Sequence, residues 1–168
     1  MGNQTTKNLQ QAFAGESQAN RRYLAFAKKA EEDGLPGIAR LFRAVAESET
    51  FHAHNHLKVL GGVKSTMENL EDAWRGEKDE YTGMYPMFMD QAKRDGDSDA
   101  LASFFWANEA EKAHAELYDK AVRAAKKGED VELGDLYLCQ YCGYTVEGTL
   151  PDKCPACGKG KEMFKRMG

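Results

Sequence analysis

Glu111-Lys112-Ala113-His114 decides how this chain is read, because the same unit already stands at Glu49-Thr50-Phe51-His52. On an α-helix, a Glu and a His three residues apart share one face, so each pair can offer an oxygen and a nitrogen to a single point. Each unit has an unpaired Glu upstream. Glu16 lies 49 − 16 = 33 residues before the first, and Glu80 lies 111 − 80 = 31 residues before the second. The halves therefore read as copies, each a helix carrying one Glu followed by a helix carrying Glu-x-x-His. Four-helix bundles use this ligand set to hold two metal ions between their helices.

Hydrophobic spacing supports four helices. Leu9, Phe13, Glu16, Asn20, Tyr23, Ala27 and Ala30 recur at alternating three and four, which predicts a helix over 6–33. Gly34 ends it and Pro36 opens the next, which runs to about Leu60 with Ile38, Phe42, Val45, Glu49, His52, His56 and Val59 on one seam. Residues 63–78 show no clean period and fit a long crossover. A third helix is expected over 79–95, bent at Pro86, and a fourth over 98–127. A carboxylate on such a seam needs a metal, a proton or a partner, because burying it alone is costly.

Composition narrows the class. The 168 residues are 30% charged with a net charge of −4, which leaves no basic footprint for nucleic acid. No run approaches the roughly 18 apolar residues of a membrane span. The N-terminus lacks the apolar core of a signal peptide, so a cytoplasmic, reducing location is expected. Met1-Gly2 with Thr6 fits a loose myristoylation pattern and is read as an ordinary initiator before a helix.

All four cysteines fall in the last thirty residues, as Cys139-Gln140-Tyr141-Cys142-Gly143 and Cys154-Pro155-Ala156-Cys157-Gly158. Two matched knuckles in a reducing compartment argue for four thiolates on one ion, and geometry suits zinc and iron equally. The segment is too short to hold itself together by apolar burial, so metal ligation would supply the missing stability. Two domains are expected, a helical one over 1–130 and a small metal-bound one over 134–168.

With both halves read, the chain resembles rubrerythrin. The matching pieces are Ala14-Gly15-Glu16-Ser17, Glu49-x-x-His52, Met84-Tyr85-Pro86, Ala110-Glu111-Lys112-Ala113-His114 and the two cysteine knuckles, which look like rubredoxin. The resemblance implies an all-α ferritin-like four-helix bundle followed by a small metal-bound rubredoxin-like β domain. It also implies a non-haem di-iron peroxidase that reduces hydrogen peroxide to water in oxidative stress protection. Glu16, Glu49, His52, Glu80, Glu111 and His114 match the family's di-iron ligands, and Tyr23 matches a tyrosine that hydrogen-bonds near a ligand carboxylate. Cys139, Cys142, Cys154 and Cys157 match the ligands of a mononuclear iron, which zinc can replace in a recombinant preparation.

The implied partners are a second copy of the chain, in a head-to-tail or helix-swapped homodimer, and an electron donor. That donor would be a separate NAD(P)H-dependent rubredoxin reductase or a rubredoxin. The family pattern before Met-Tyr-Pro is Glu-x-x-Glu, and here Glu80-Tyr81-Thr82-Gly83 stands in its place, which implies six protein ligands and an open position beside Gly83. The alternatives are a di-iron oxidase or ferroxidase using oxygen, and a non-catalytic iron-binding bundle. Trp74 and Trp106 read as packing residues.

Overall fold

A computed structural model describes residues 3–168, so Met1 and Gly2, and with them the myristoylation pattern, lie outside the described residues. The chain divides into two compact units at Lys64 and Ser65.

The first unit is a helical hairpin of α1 (Gln4–Glu32) and α2 (Pro36–Val59). Asn3 caps α1 by accepting from the Thr6 N–H, and Gly34, at φ 73°, turns the chain left-handed where a side chain would be strained. Pro36 then occupies the first turn of α2, where its missing N–H costs nothing. Small residues make the helix contact: Ala27 and Ala30 on α1, and Ala39, Ala46 and Ala53 on α2, are all buried. Asn20 ties the pair, its Nδ2 donating to the Ala46 carbonyl at 2.7 Å and to Thr50 Oγ1 at 2.9 Å. Ile38, Leu41, Val45, Glu49 and His52 form another stripe of α2 at steps of three and four. It remains open, with Leu41 62% exposed.

The second unit holds α3 (Thr66–Asp79), a π turn (Glu80–Met84), α4 (Tyr85–Asp95), α5 (Ser98–Ala125) and a three-stranded antiparallel sheet. The crossover expected over 63–78 is not there, for the helix begins at Thr66. Ser65 Oγ accepts from the Glu68 N–H while the Glu68 carboxylate returns to the Ser65 N–H, a capping box that fixes the start. Met67, Leu70 and Trp74 then supply the step of three and four that weaker flanking residues obscured. Pro86 does not sit inside a regular helix either. The Tyr85 N–H reaches back to the Glu80 carbonyl, and the π turn places Pro86 in the first turn of α4.

Strands β1 (Leu136–Cys139), β2 (Thr145–Glu147) and β3 (Phe164–Met167) form the sheet in the order β2-β1-β3. Its core is Cys139, Cys154 and Ala156, flanked by Tyr144, Met163 and Phe164. The chain thus supplies the two helical pairs of a ferritin-like four-helix bundle, with a small β domain after them.

Candidate metal centres

In the first unit, ligand atoms of Glu16, Glu49 and His52 lie within 4.8 Å of one another. His52 Nδ1 is 2.7 Å from a Glu49 carboxylate oxygen, as the i, i+3 spacing requires. In the second unit the corresponding trio is Glu77, Glu111 and His114, again within 4.8 Å. His114 Nδ1 lies 2.7 Å from Glu111 and 3.5 Å from Glu77.

Glu77 was not among the residues picked from the sequence, yet the repeat identifies it. Around the first trio, Tyr23, Phe26 and Phe42 pack with ring centroids 6.2, 6.2 and 5.6 Å apart. Around the second, Tyr85, Phe88 and Phe104 pack at 6.3, 6.4 and 5.5 Å. Tyr23 follows Glu16 by 23 − 16 = 7 residues, and Tyr85 follows Glu77 by 85 − 77 = 8, the extra residue falling where the π turn lies. Glu77 is therefore the counterpart of Glu16, and Tyr85 that of Tyr23. A π turn of this kind often marks a functional site.

Glu80 stands one turn beyond Glu77, so the Glu-x-x-Glu spacing is Glu77-Lys78-Asp79-Glu80. The carboxylate that seemed missing at Gly83 is supplied three residues before Glu80. A Cβ built on Gly83 would have no heavy atom within 4 Å.

Electrostatics agree with a cation site. Burial, then the hydrogen bond and charge of Glu111, push the Glu77 carboxyl up to about 7 against the pull of His114. Burial and the Glu77 charge raise Glu80, and burial with the charges of Glu111, Glu80 and Glu77 raises the Tyr85 hydroxyl. These carboxylates crowd one another with too little positive charge nearby, and a divalent ion would relieve that crowding. Oxygen and imidazole donors in this proportion fit iron. His56 and His54 fall outside both trios.

The four cysteine sulfurs also converge within 4.8 Å. Cys139 and Cys157 Sγ are 3.8 Å apart, and Cys142 and Cys154 Sγ 3.5 Å. Thiolates about 2.3 Å from a tetrahedral metal stand about 3.8 Å from one another, so the donor set fits an ion with little movement. Although burial works against it, the Cys142 and Tyr141 N–H groups hold the Cys139 thiol below its ordinary range. Burial raises Cys142 and Cys157 despite backbone N–H groups that favour their thiolates. An ion at the centre would allow all four to ionise.

The cysteine domain docks on α5 within the second unit. Trp106 meets Tyr141, between Cys139 and Cys142, edge-on at 5.1 Å, and Lys120 Nζ donates to a Glu147 carboxylate oxygen at 2.6 Å. A cavity of about 370 Å³ lined by Leu70, Leu117, Tyr118 and Val131 reaches Glu77 and His114.

Paired Glu/His trios on a duplicated helical scaffold, joined to a four-thiol centre, define a class of metalloprotein built for two kinds of metal site. The sequence matches the family described as Rubrerythrin over residues 7–122, and the rubredoxin-like domain of rubrerythrin over 137–165. It is 37% identical to Rubrerythrin-2 of Clostridium acetobutylicum over 96% of this chain and 95% of that one. With a rubrerythrin of Nitratidesulfovibrio vulgaris the identity is 35%, over 99% and 96%. A solved structure of nigerythrin in its fully reduced, all-ferrous state is 34% identical, with a TM-score of 0.55 over 99% of this chain and 88% of that one. The chain belongs to the rubrerythrin family, whose hallmarks are a ferritin-like di-iron domain and a rubredoxin-like domain.

Proposed function

We propose that this protein is a rubrerythrin-type peroxidase that reduces hydrogen peroxide to water with electrons passed through the four-cysteine iron. The observation that carries the reading is the presence, in one compact unit, of the Glu77, Glu111 and His114 trio and the four-thiol centre. When bound, a pair of irons supplies the two electrons that cleave the O–O bond, and two protons complete two waters.

The residues hold and balance that pair. Glu16, Glu49 and His52 offer one set of donors, Glu77, Glu111 and His114 the other, and Glu80 adds a carboxylate. Tyr23 and Tyr85, at equivalent places in the repeat, would orient ligand carboxylates through their hydroxyls. The cavity beside Glu77 and His114 gives a molecule as small as peroxide a way in. Cys139, Cys142, Cys154 and Cys157 would hold the electron-relaying iron.

The open stripe of α2 favours a homodimer, head-to-tail or helix-swapped. Electrons would come from an NAD(P)H-dependent rubredoxin reductase or a rubredoxin. Glu77 completes a Glu-x-x-Glu pattern with Glu80, which favours the peroxidase over a ferroxidase.

The test is anaerobic stopped-flow mixing of the fully reduced, iron-loaded protein with peroxide or with oxygen. Rapid growth of the ferric-thiolate band with peroxide, faster than with oxygen, supports the reading. Faster reaction with oxygen points to an oxidase, and no oxidation within seconds to an inert bundle.

A further inference from the structure

His114 is held at both ends. Its Nδ1 faces Glu111 at 2.7 Å and Glu77 at 3.5 Å, while its Nε2 lies 3.0 Å from Thr145 Oγ1. Thr145 is the first residue of β2, three residues after Cys142, so the hydroxyl belongs to the cysteine domain. Two positions on, Glu147 points to the same side of the strand and meets Lys120 of α5. The strand therefore lies along α5 with one side chain on a candidate metal ligand and the next on a lysine. The side chain of His114 is 28% exposed and that of His52 52%, so the two imidazoles are held differently.

We propose that Thr145 is the positioning residue of His114, fixing the imidazole so that Nδ1 presents its lone pair to the metal while Nε2–H donates to Thr145 Oγ1. This rests on the reading of the Glu/His trio as a metal site. A histidine that ligates through one nitrogen commonly donates its other N–H to a fixed partner, which sets the tautomer and the ring angle. A hydroxyl suits both conditions of the site. Without metal, Nδ1–H can donate to the Glu111 carboxylate while the threonine O–H donates to Nε2. With metal, Nδ1 is freed and Nε2–H donates to the threonine oxygen. The cysteine domain thereby supplies a group to the helical metal site, and the connection is short: Cys142, Gly143, Tyr144, Thr145, hydrogen bond, His114.

The test uses full-length protein with zinc in the cysteine site and cobalt(II) titrated into the Glu/His site. Thr145→Val, which keeps the shape and removes the hydroxyl, is expected to weaken cobalt binding about 10-fold or more. Thr145→Ser is expected to restore it. Glu147→Gln, which loosens the docking of β2 without touching His114, is expected to leave it near wild type. Equal affinity in Thr145→Val and wild type, or an equal loss in Glu147→Gln, would overturn the proposal. Failure of the wild type to bind cobalt at the Glu/His site would instead overturn the metal-site reading beneath it. A measurement without variants adds a second check. Imidazole ¹⁵N spectra of wild type carrying zinc at both the cysteine and the Glu/His sites should show His114 protonated at Nε2 with slow exchange, and a rapidly exchanging Nε2–H would contradict the assignment.

Discussion

Replacing Cys142 by Ser tests how much of the tail's order comes from its ion. Among the described residues after Glu129, only Cys139, Cys154 and Ala156 are buried, and two of these are themselves ligands. A segment this short does not hold a fold on apolar contact alone. The geometry is already nearly that of an occupied site, since the Cys142–Cys154 separation of 3.5 Å is 3.8 − 3.5 = 0.3 Å shorter than that of Cys139–Cys157. Ligation at such a site is worth on the order of 10 kcal/mol, more than this core can replace. Cys142→Ser, or a strong chelator, should therefore unfold 136–167 while the helices persist. Trp106 reports the event because its ring rests 5.1 Å from Tyr141, and Trp74→Phe removes the other indole signal. The expected result is a changed Trp106 emission and loss of dispersed tail amide signals, with helical circular dichroism nearly unchanged. A metal-free tail that kept its dispersed amides would refute the reasoning.

Three further outcomes follow from the geometry. The Glu77 carboxyl of the metal-free fold is raised from 4.5 to about 7, so its contribution to stability is fully present below 4.5 and is lost as the pH rises through 7. Urea midpoints of metal-free wild type should accordingly fall relative to Glu77→Gln across that window, and parallel curves would be a contrary result. Asn20→Ala removes donors to Ala46 O and Thr50 Oγ1, and should cost about 1–2 kcal/mol in denaturant titration; an unchanged midpoint would mean those bonds add nothing. Ser65→Ala breaks the capping box of α3 and should cost about 1 kcal/mol, with amide exchange speeding first at Met67 and Glu68, whereas uniform exchange across α3 would argue against the cap.

The fold and most of the site were legible because periodicity and motif coincide. Glu16, Glu49, His52, Glu111 and His114 each sit on an apolar seam of a long helix, so their convergence in trios follows from spacing. The cysteine knuckles announce themselves by residue type. Glu77 is not legible in the sequence because α3 buries none of its residues, so no clean apolar period marks its start and this carboxylate reads as part of a crossover over 63–78. The π turn hid the repeat a second time by adding one residue between Glu77 and Tyr85, so counting from Glu16 pointed to Glu80. The Thr145–His114 contact spans 31 residues and two elements of unrelated pattern, and no local signal could announce it.

The most direct test of the metal-centre assignment is iron bound per chain after anaerobic reconstitution, for wild type and for Glu49→Ala with Glu111→Ala. About three irons per chain in the wild type, two at the Glu/His donors and one at the thiolates, should fall to about one in the double variant. One iron per chain in the wild type, or no loss in the variant, would contradict the assignment of the trios to a metal pair.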